Sequence, residues 1–245
     1  MELKVLTYNI MHGLDYKKLL NKERIIDLDK ICEIIKKSNP DIIGLNEVYN
    51  DIEEKISVPQ AKYIASKLGY QYYYFGKAIT IHETIEYGNA IISKYPIKNI
   101  QKHMIEDPKV KDEDAYYETR NIIECQIEIN NVYYKTFVTH MGLAKSEQKN
   151  GINKLKSLIK DENIFIMGDF NMEEDNENII SLSKLVDNTS YLIDDSIKGN
   201  KLTYPSINPK IKIDYIFTKN IDVKQAKVIK EIGSDHYPVE IVVEI

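Results

Sequence analysis

Four apolar segments of this chain run out at side chains that hydrolytic chemistry uses, and a fifth is preceded by them. Residues 3–8 end at Asn9 and residues 42–45 at Glu47. Residues 132–138 end at Thr139-His140, and residues 164–167 at Gly168-Asp169-Phe170-Asn171. Ser234-Asp235-His236 stands just before the last apolar stretch. Each has an ordinary reading alone: Asn, Asp and Gly favour turns, and a single histidine is usually a satisfied core residue. The same coincidence at five strand ends is harder to explain that way, because strand ends along one sheet rim are a natural place to gather a site.

The residue types point to one chemistry. Glu47, Asp169 and Asp235 are hard oxygen ligands or bases, and Mg²⁺ is commonly held by one or two carboxylates while keeping several waters. No His-x-x-x-His pair is present, which disfavours a zinc hydrolase of that type. There is no Gly-x-Ser-x-Gly elbow and no Gly-Lys-Ser/Thr phosphate loop. The only cysteines, Cys32 and Cys125, lie in separate apolar segments, so a reduced, cytoplasmic setting is expected.

The elements that must position these groups can be read from periodicity. Strands are expected at 3–8, 41–45, 72–75, 89–93, 163–167, 211–218 and 239–245. A hairpin is expected from 121–129 and 132–139 around Asn130-Asn131. Ile25, Leu28, Ile31, Cys32 and Ile35 follow a helical period that stops at Asn39-Pro40. Further helices are expected at 59–68, 145–160 and 177–185. Residues 101–117 are charged and aperiodic and read as a long irregular loop. Hairpins among alternating strands and helices argue for two mixed sheets packed together with helices outside. Nothing divides the chain, so a single domain over residues 1–245 is expected.

Composition sets further bounds. Hydrophobic residues make up 43% and charged residues 29%, enough apolar surface for a large core. No apolar run approaches the ~20 residues of a membrane span, and the N-terminus reads as a first strand with no secretory signal. The net charge is −5 and lysines are interleaved with acids, so the basic stripe of a nucleic-acid-gripping protein is missing.

The sequence resembles the endonuclease/exonuclease/phosphatase superfamily of deoxyribonuclease-I-like, metal-dependent phosphoesterases. The likeness runs in family order through Thr7-Tyr-Asn-Ile, Leu45-Asn-Glu-Val, Gly88-Asn-Ala-Ile-Ile-Ser-Lys-Tyr-Pro-Ile and Thr119-Arg-Asn. It continues through Thr139-His140, Gly168-Asp-Phe-Asn, Lys212-Ile-Asp-Tyr-Ile-Phe and Ser234-Asp-His-Tyr-Pro-Val. The resemblance implies a four-layered α/β/β/α sandwich and a Mg²⁺ or Mn²⁺ cofactor. It implies that Glu47 binds the metal, with Asp235 at the metal or beside it. Asn9 and Asn171 would orient phosphate, water or ligands; Asp169 would activate water; Asp214 would pair with His236; and His140 would donate to the phosphate. Arg120 is a candidate phosphate contact. Two departures are Asn46, where the family often has Gln, and Lys212, where it often has Arg and where the bidentate fork is lost. His12 is taken as a structural rim residue, His82 and His103 as surface loop residues, and Tyr204-Pro205 as pocket wall.

The reaction so implied is in-line attack of water on phosphorus. A small or lipid phosphodiester or phosphomonoester is the favoured substrate, acted on by a monomer. A nuclease or abasic-site endonuclease using the same site is the less favoured reading, and a non-catalytic binding module the least.

Overall fold

The computed structural model describes residues 1–194, 196 and 199–245. Among the described residues, twelve strands form two six-stranded sheets. The first is built from β1 (Glu2–Asn9), β2 (Ile42–Asn50), β3 (Tyr72–Ile81), β4 (Ile85–Ser93), β11 (Asp222–Val228) and β12 (Val239–Glu244), in the order β11-β12-β1-β2-β4-β3. The second is built from β5 (Ile97–Met104), β6 (Asn121–Ile129), β7 (Val132–His140), β8 (Ile164–Asp169), β9 (Asp187–Asn188) and β10 (Asp214–Lys219), in the order β5-β6-β7-β8-β10-β9. Each sheet is mixed, with one parallel pair at its middle: β1 with β2, and β7 with β8.

Among the described residues, five α-helices accompany the sheets: α1 (Tyr16–Leu20), α2 (Leu28–Ser38), α3 (Gln60–Leu68), α4 (Lys145–Leu158) and α5 (Glu177–Leu182). Ile31, Cys32 and Ile35 of α2 and Ile64 of α3 bury against Leu6, Tyr8, Ile43 and Leu45 on the outer face of the first sheet. Ile152 and Leu155 of α4 and Ile179 of α5 bury against Phe137, Ile166 and Phe217 on the outer face of the second. Between the sheets lies a third apolar layer that includes Val5, Ile42, Ile91, Cys125, Val138, Met167, Ile216 and Ile241. The result is the expected four-layered α/β/β/α sandwich.

Local signals account for most boundaries. Asp27 caps α2 by accepting from the Lys30 amide, and Asn39 ends it in the left-handed region at φ 51°. Gly69, at φ 77°, closes α3. Asn130 and Asn131 both take positive φ, 51° and 63°, as a tight hairpin turn with right-handed twist requires. At Gly44 the sheets approach closely: a Cβ there would come within 2.6 Å of Met167 on the other sheet.

The long loop expected at 101–117 is shortened, because β5 extends to Met104 and pairs with β6 from Met104–Asn121 back to Ile97–Ile127. Lys98 and Lys102 alternate with polar neighbours on this solvent-facing edge strand, which hides its period. His103 accordingly lies in a strand, 2.8 Å from Glu124, and not in a loop. Strand β11 was likewise masked by its polar sequence, Asp-Val-Lys-Gln-Ala-Lys-Val.

Candidate active site

The strand period of two carries the chemistry into place. On β1, Leu3 and Val5 point into the inter-sheet core, and two steps past Thr7 the same face presents Asn9. On β7 the inward series Tyr134, Thr136, Val138 ends at His140; on β8, Phe165 and Met167 lead to Asp169. On β10, Asp214 precedes the inward Ile216. These polar groups are therefore the end of the inter-sheet layer, where apolar side chains give way to ionisable ones. Register aligns them: His140 pairs with Asp169, Asp169 with Asp214, and Asn9 with Asn46.

Glu47 reaches the same place by a different device. Simple alternation after Asn46 would turn it toward the helices. Instead the β2–β4 register slips between Leu45 and Val48, and Glu47 adopts φ 55°. This bulge re-aims its side chain into the cavity. Asp235 and His236 arrive on the loop before β12. That loop is held by the Tyr8 hydroxyl, which accepts from the Ser234 amide at 3.0 Å, and by Ser206, whose hydroxyl donates to the Ser234 carbonyl at 2.6 Å.

The groups converge on a cavity of about 370 Å³ lined by Glu47, Arg120, His140, Asp169, Asn171, Asp235 and His236, with Leu143, Tyr204, Ile211 and Ile213 as an apolar wall. Larger surface hollows lie away from these groups, around α3 and residues 54–58 and between Glu174 and Lys212.

Asp169 is the hub. Its Oδ1 accepts from the Asn171 amide at 2.9 Å, and its Oδ2 accepts from Asn9 Nδ2 at 3.0 Å. The same Oδ2 lies 3.4 Å from His140 Nε2 and 3.6 Å from His236 Nε2. Burial raises the Asp169 carboxyl to about 7, with Asp214 adding to the rise and His236 opposing it. Asn9 Nδ2 also donates to Glu47 Oε1 at 3.1 Å, so one amide spans the two carboxylates. Burial works against ionisation of Glu47, but the His12 ring, the Asn9 hydrogen bond and the charge on His236 outweigh it and hold the carboxyl well below the usual range. Burial, with Glu47 nearby, pushes Asp235 upward.

The two histidines differ sharply. His236 Nδ1 donates to Asp214 Oδ2 at 2.9 Å. Burial disfavours its charge, but Asp214, Asp169 and Asp235 outweigh that and raise it to about 10, so it is cationic at neutral pH. His140 Nδ1 faces Arg120 at 3.1 Å. A guanidinium can only donate, so Nδ1 accepts and the proton of a neutral ring sits on Nε2, which faces Asp169 Oδ2 at 3.4 Å and Asn171 Nδ2 at 3.1 Å. Burial and the Arg120 charge drive the His140 pKa well below its ordinary value, so this ring is neutral.

The structure brings all nine candidate residues together, with one change of emphasis. Arg120 lines the cavity, but its guanidinium is ion-paired with Glu118 and spent on His140, so its direct role is holding that ring. Lys212 is buried away from the cavity: its Nζ donates to the Asp214 carbonyl at 3.1 Å and lies over the Tyr215 ring. Burial lowers it to about 7.

Sequence reasoning missed an asparagine chain beneath the site. Asn46 donates to Asn89 Oδ1 and to the Thr139 carbonyl, both at 2.8 Å, and accepts from the Asp169 amide at 2.9 Å. Asn89 in turn donates to Asn121 Oδ1 at 3.0 Å, and Asn121 to the Gly76 carbonyl at 2.9 Å. These buried amides tie the two sheets together where the apolar layer stops. The available signal was an asparagine in each of three motif segments. Thr203 was also missed; its hydroxyl accepts from the amides of Ile213 and Asp214, fixing the entry into β10.

Residues 6–236 match the model of the endonuclease/exonuclease/phosphatase family. This chain belongs to that family. Among curated proteins none matches it. Solved structures give the same fold at low identity. An endonuclease/exonuclease/phosphatase from Beutenbergia cavernae is 20% identical with a TM-score of 0.82, the match covering 100% of this chain and 72% of that one. A mannosyl-6-phosphatase from Bacteroides thetaiotaomicron is 16% identical with a TM-score of 0.76, covering 99% and 100%. The catalytic domain of human Nocturnin is 17% identical with a TM-score of 0.72, covering 99% and 94%. The family is one of phosphoesterases and nucleases, and this chain is a hydrolase of that class.

Proposed function

We propose that the chain, acting as one catalytic domain, is a Mg²⁺- or Mn²⁺-dependent hydrolase of small phosphate esters. The observation that carries this reading is Asp169: a carboxyl raised to about 7, between a cationic and a neutral histidine, in a cavity that also presents Glu47 and Asp235.

The donor set fits a hard divalent ion. Glu47 is held ionised, its Oε1 is taken by Asn9, and its Oε2 faces His12 Nδ1 at 3.7 Å. Glu47 and Asp235 would hold the ion, which when bound supplies charge neutralisation at a phosphoryl oxygen. Asp169, Asp214 and His236 also lie close enough together to share an ion. The short Asp214–His236 hydrogen bond and the positive charge on His236 argue instead that Asp214 orients His236 and keeps it cationic beside Asp169.

Asp169, with Asn9 and Asn171 fixing its oxygens, accepts the proton of the attacking water. A pKa near the working pH suits it for that task. His236, kept cationic by Asp214, and the Nε2–H of His140 stabilise negative charge developing on the phosphoryl oxygens. Asn171 is anchored by donating to the Met141 carbonyl at 2.9 Å and lies beside His140 Nε2, where it can orient substrate.

The size of the cavity, its wall of Tyr204, Ile211, Ile213 and Leu143, and the net charge of −5 favour a small ester over a nucleic acid. The named phosphatase with the same fold agrees with that direction. The two cysteines are free and buried, and no helix among the described residues is long and apolar enough to cross a membrane. We place the protein in the cytoplasm as a monomer.

The test is a panel of sugar phosphates, nucleotides, lipid head-group esters and a chromogenic phosphodiester, beside plasmid and abasic-site DNA. It is run with chelator and with Mg²⁺ or Mn²⁺ restored. Metal-dependent turnover dominated by a small ester is expected. Full activity in chelator would sink the metal assignment, and tight, steeply salt-dependent DNA binding would overturn the substrate assignment.

A further inference from the structure

His12 stands beside the catalytic groups without a hydrogen-bond partner. Its ring is buried against Tyr49, stacked at 4.4 Å and 6°, with Tyr87 edge-on at 6.5 Å. Among the described residues neither Nδ1 nor Nε2 makes a hydrogen bond, although both are shielded from solvent. Unsatisfied buried ring nitrogens are costly and call for a cause. Nδ1 faces Glu47 Oε2 at 3.7 Å, too far for a hydrogen bond. Two bonds of about 2.1 Å to one ion bring their donor atoms about 3 to 4 Å apart, and this pair has that spacing.

The backbone enforces the arrangement. Met11 and His12 take φ 46° and 43°, and Glu47, on the facing bulge, takes φ 55°. Left-handed backbone at non-glycine residues is strained and persists where surrounding structure over-determines it. Gln60 provides that: its Nε2 donates to the His12 carbonyl at 2.7 Å, while its Oε1 accepts from the Tyr49 amide at 3.0 Å. One buried amide thus locks the strained turn to the strand that carries Glu47 and the stacking tyrosine.

We propose that His12 is a nitrogen ligand that completes the Glu47 metal site and biases it toward Mn²⁺ over Mg²⁺. The proposal rests on the reading of Glu47 as a metal residue. Mg²⁺ demands oxygen ligands and keeps its waters, whereas first-row transition ions accept imidazole nitrogen, Mn²⁺ the most weakly of them, so a nitrogen ligand favours Mn²⁺ over Mg²⁺. Removing the ring should therefore weaken Mn²⁺ binding much more than Mg²⁺ binding.

The experiment measures Mn²⁺ and Mg²⁺ affinity of the substrate-free protein by calorimetry, with pulsed electron paramagnetic resonance of bound Mn²⁺ to detect coordinated nitrogen. Two variants separate ligation from folding: His12→Phe keeps the stack on Tyr49, and His12→Asn tolerates positive φ. Both should lose affinity for Mn²⁺ by about 10- to 100-fold and lose nitrogen coupling, with Mg²⁺ affinity changed severalfold at most. An unchanged Mn²⁺-to-Mg²⁺ ratio and retained nitrogen coupling in both variants would overturn the proposal. Glu47→Gln reports on the underlying reading. If it abolishes binding of both ions while the His12 variants keep the wild-type ratio, only the His12 assignment falls. If it leaves binding intact, the Glu47 assignment falls and takes this inference with it.

Discussion

The two histidine walls of the cavity use the same side chain to opposite ends. His140 and His236 both lie within 3.6 Å of one Asp169 oxygen, and both are buried. Next to Asp214 the His236 ring stays cationic; next to Arg120 the His140 ring stays neutral and points its proton inward. Burial alone would neutralise both. The charge of the neighbour on Nδ1 therefore decides which wall supplies positive charge and which supplies a neutral donor, a division set by residues behind the reacting groups.

The largest effect should come from removing what the walls share. Asp169→Asn keeps size and removes the base, and turnover should fall by about 10²–10⁴-fold with much smaller change in substrate binding. His236→Ala should cost a similar factor. The double variant should be little worse than either, because groups that act as a unit are not additive. Steady-state kinetics of the three variants, with folding checked by circular dichroism, decides it. If the two single variants fold and keep near-wild-type turnover, these walls do not perform the reaction.

Asp214→Asn tests the cationic wall alone, and a loss on the order of 10²-fold in turnover is expected. It also has a signature in the metal-free protein. His236 is raised from 6.5 to about 10. A raised folded pKa contributes stability that is full below the unfolded value and lost as pH rises through the folded one. Wild-type stability should thus decline between pH 6.5 and 10 through this group, and Asp214→Asn should flatten the decline. Urea midpoints across that range measure it, and equal slopes for the two proteins would break the comparison.

The smallest effect should be at the neutral wall. Arg120→Met removes the donor to His140 Nδ1, and turnover should drop about tenfold, the order of one hydrogen bond to a charged group. Nitrogen chemical shifts of the ring should show loss of the single Nε2–H tautomer and a rise in its pKa toward the ordinary value. An unchanged tautomer and pKa would mean that Arg120 does not set the state of His140.

Much of this was legible before folding. Short apolar strand segments, the Asn130-Asn131 turn and helical stripes such as Ile31, Cys32 and Ile35 argued for two mixed sheets with helices outside. The strand-end positions of Asn9, His140 and Asp169 followed from where those apolar segments stop. The edge strands β5 and β11 were hidden because a strand exposed to water needs no apolar face, so its sequence looks like a loop.

The sequence by itself determined the layers, the strand ends and the chemical types available at them, because those depend on local periodicity and on side-chain identity. Only the tertiary structure decided how those types are used. The bulge that turns Glu47 inward, the asparagine chain from Asn46 to Asn121, and the unpartnered ring of His12 all depend on contacts between strands far apart in sequence. The charge states of Asp169, His140 and His236 depend on them most. Desolvation and the nearest fixed charge set a pKa, and both exist only once the two sheets have closed over the site.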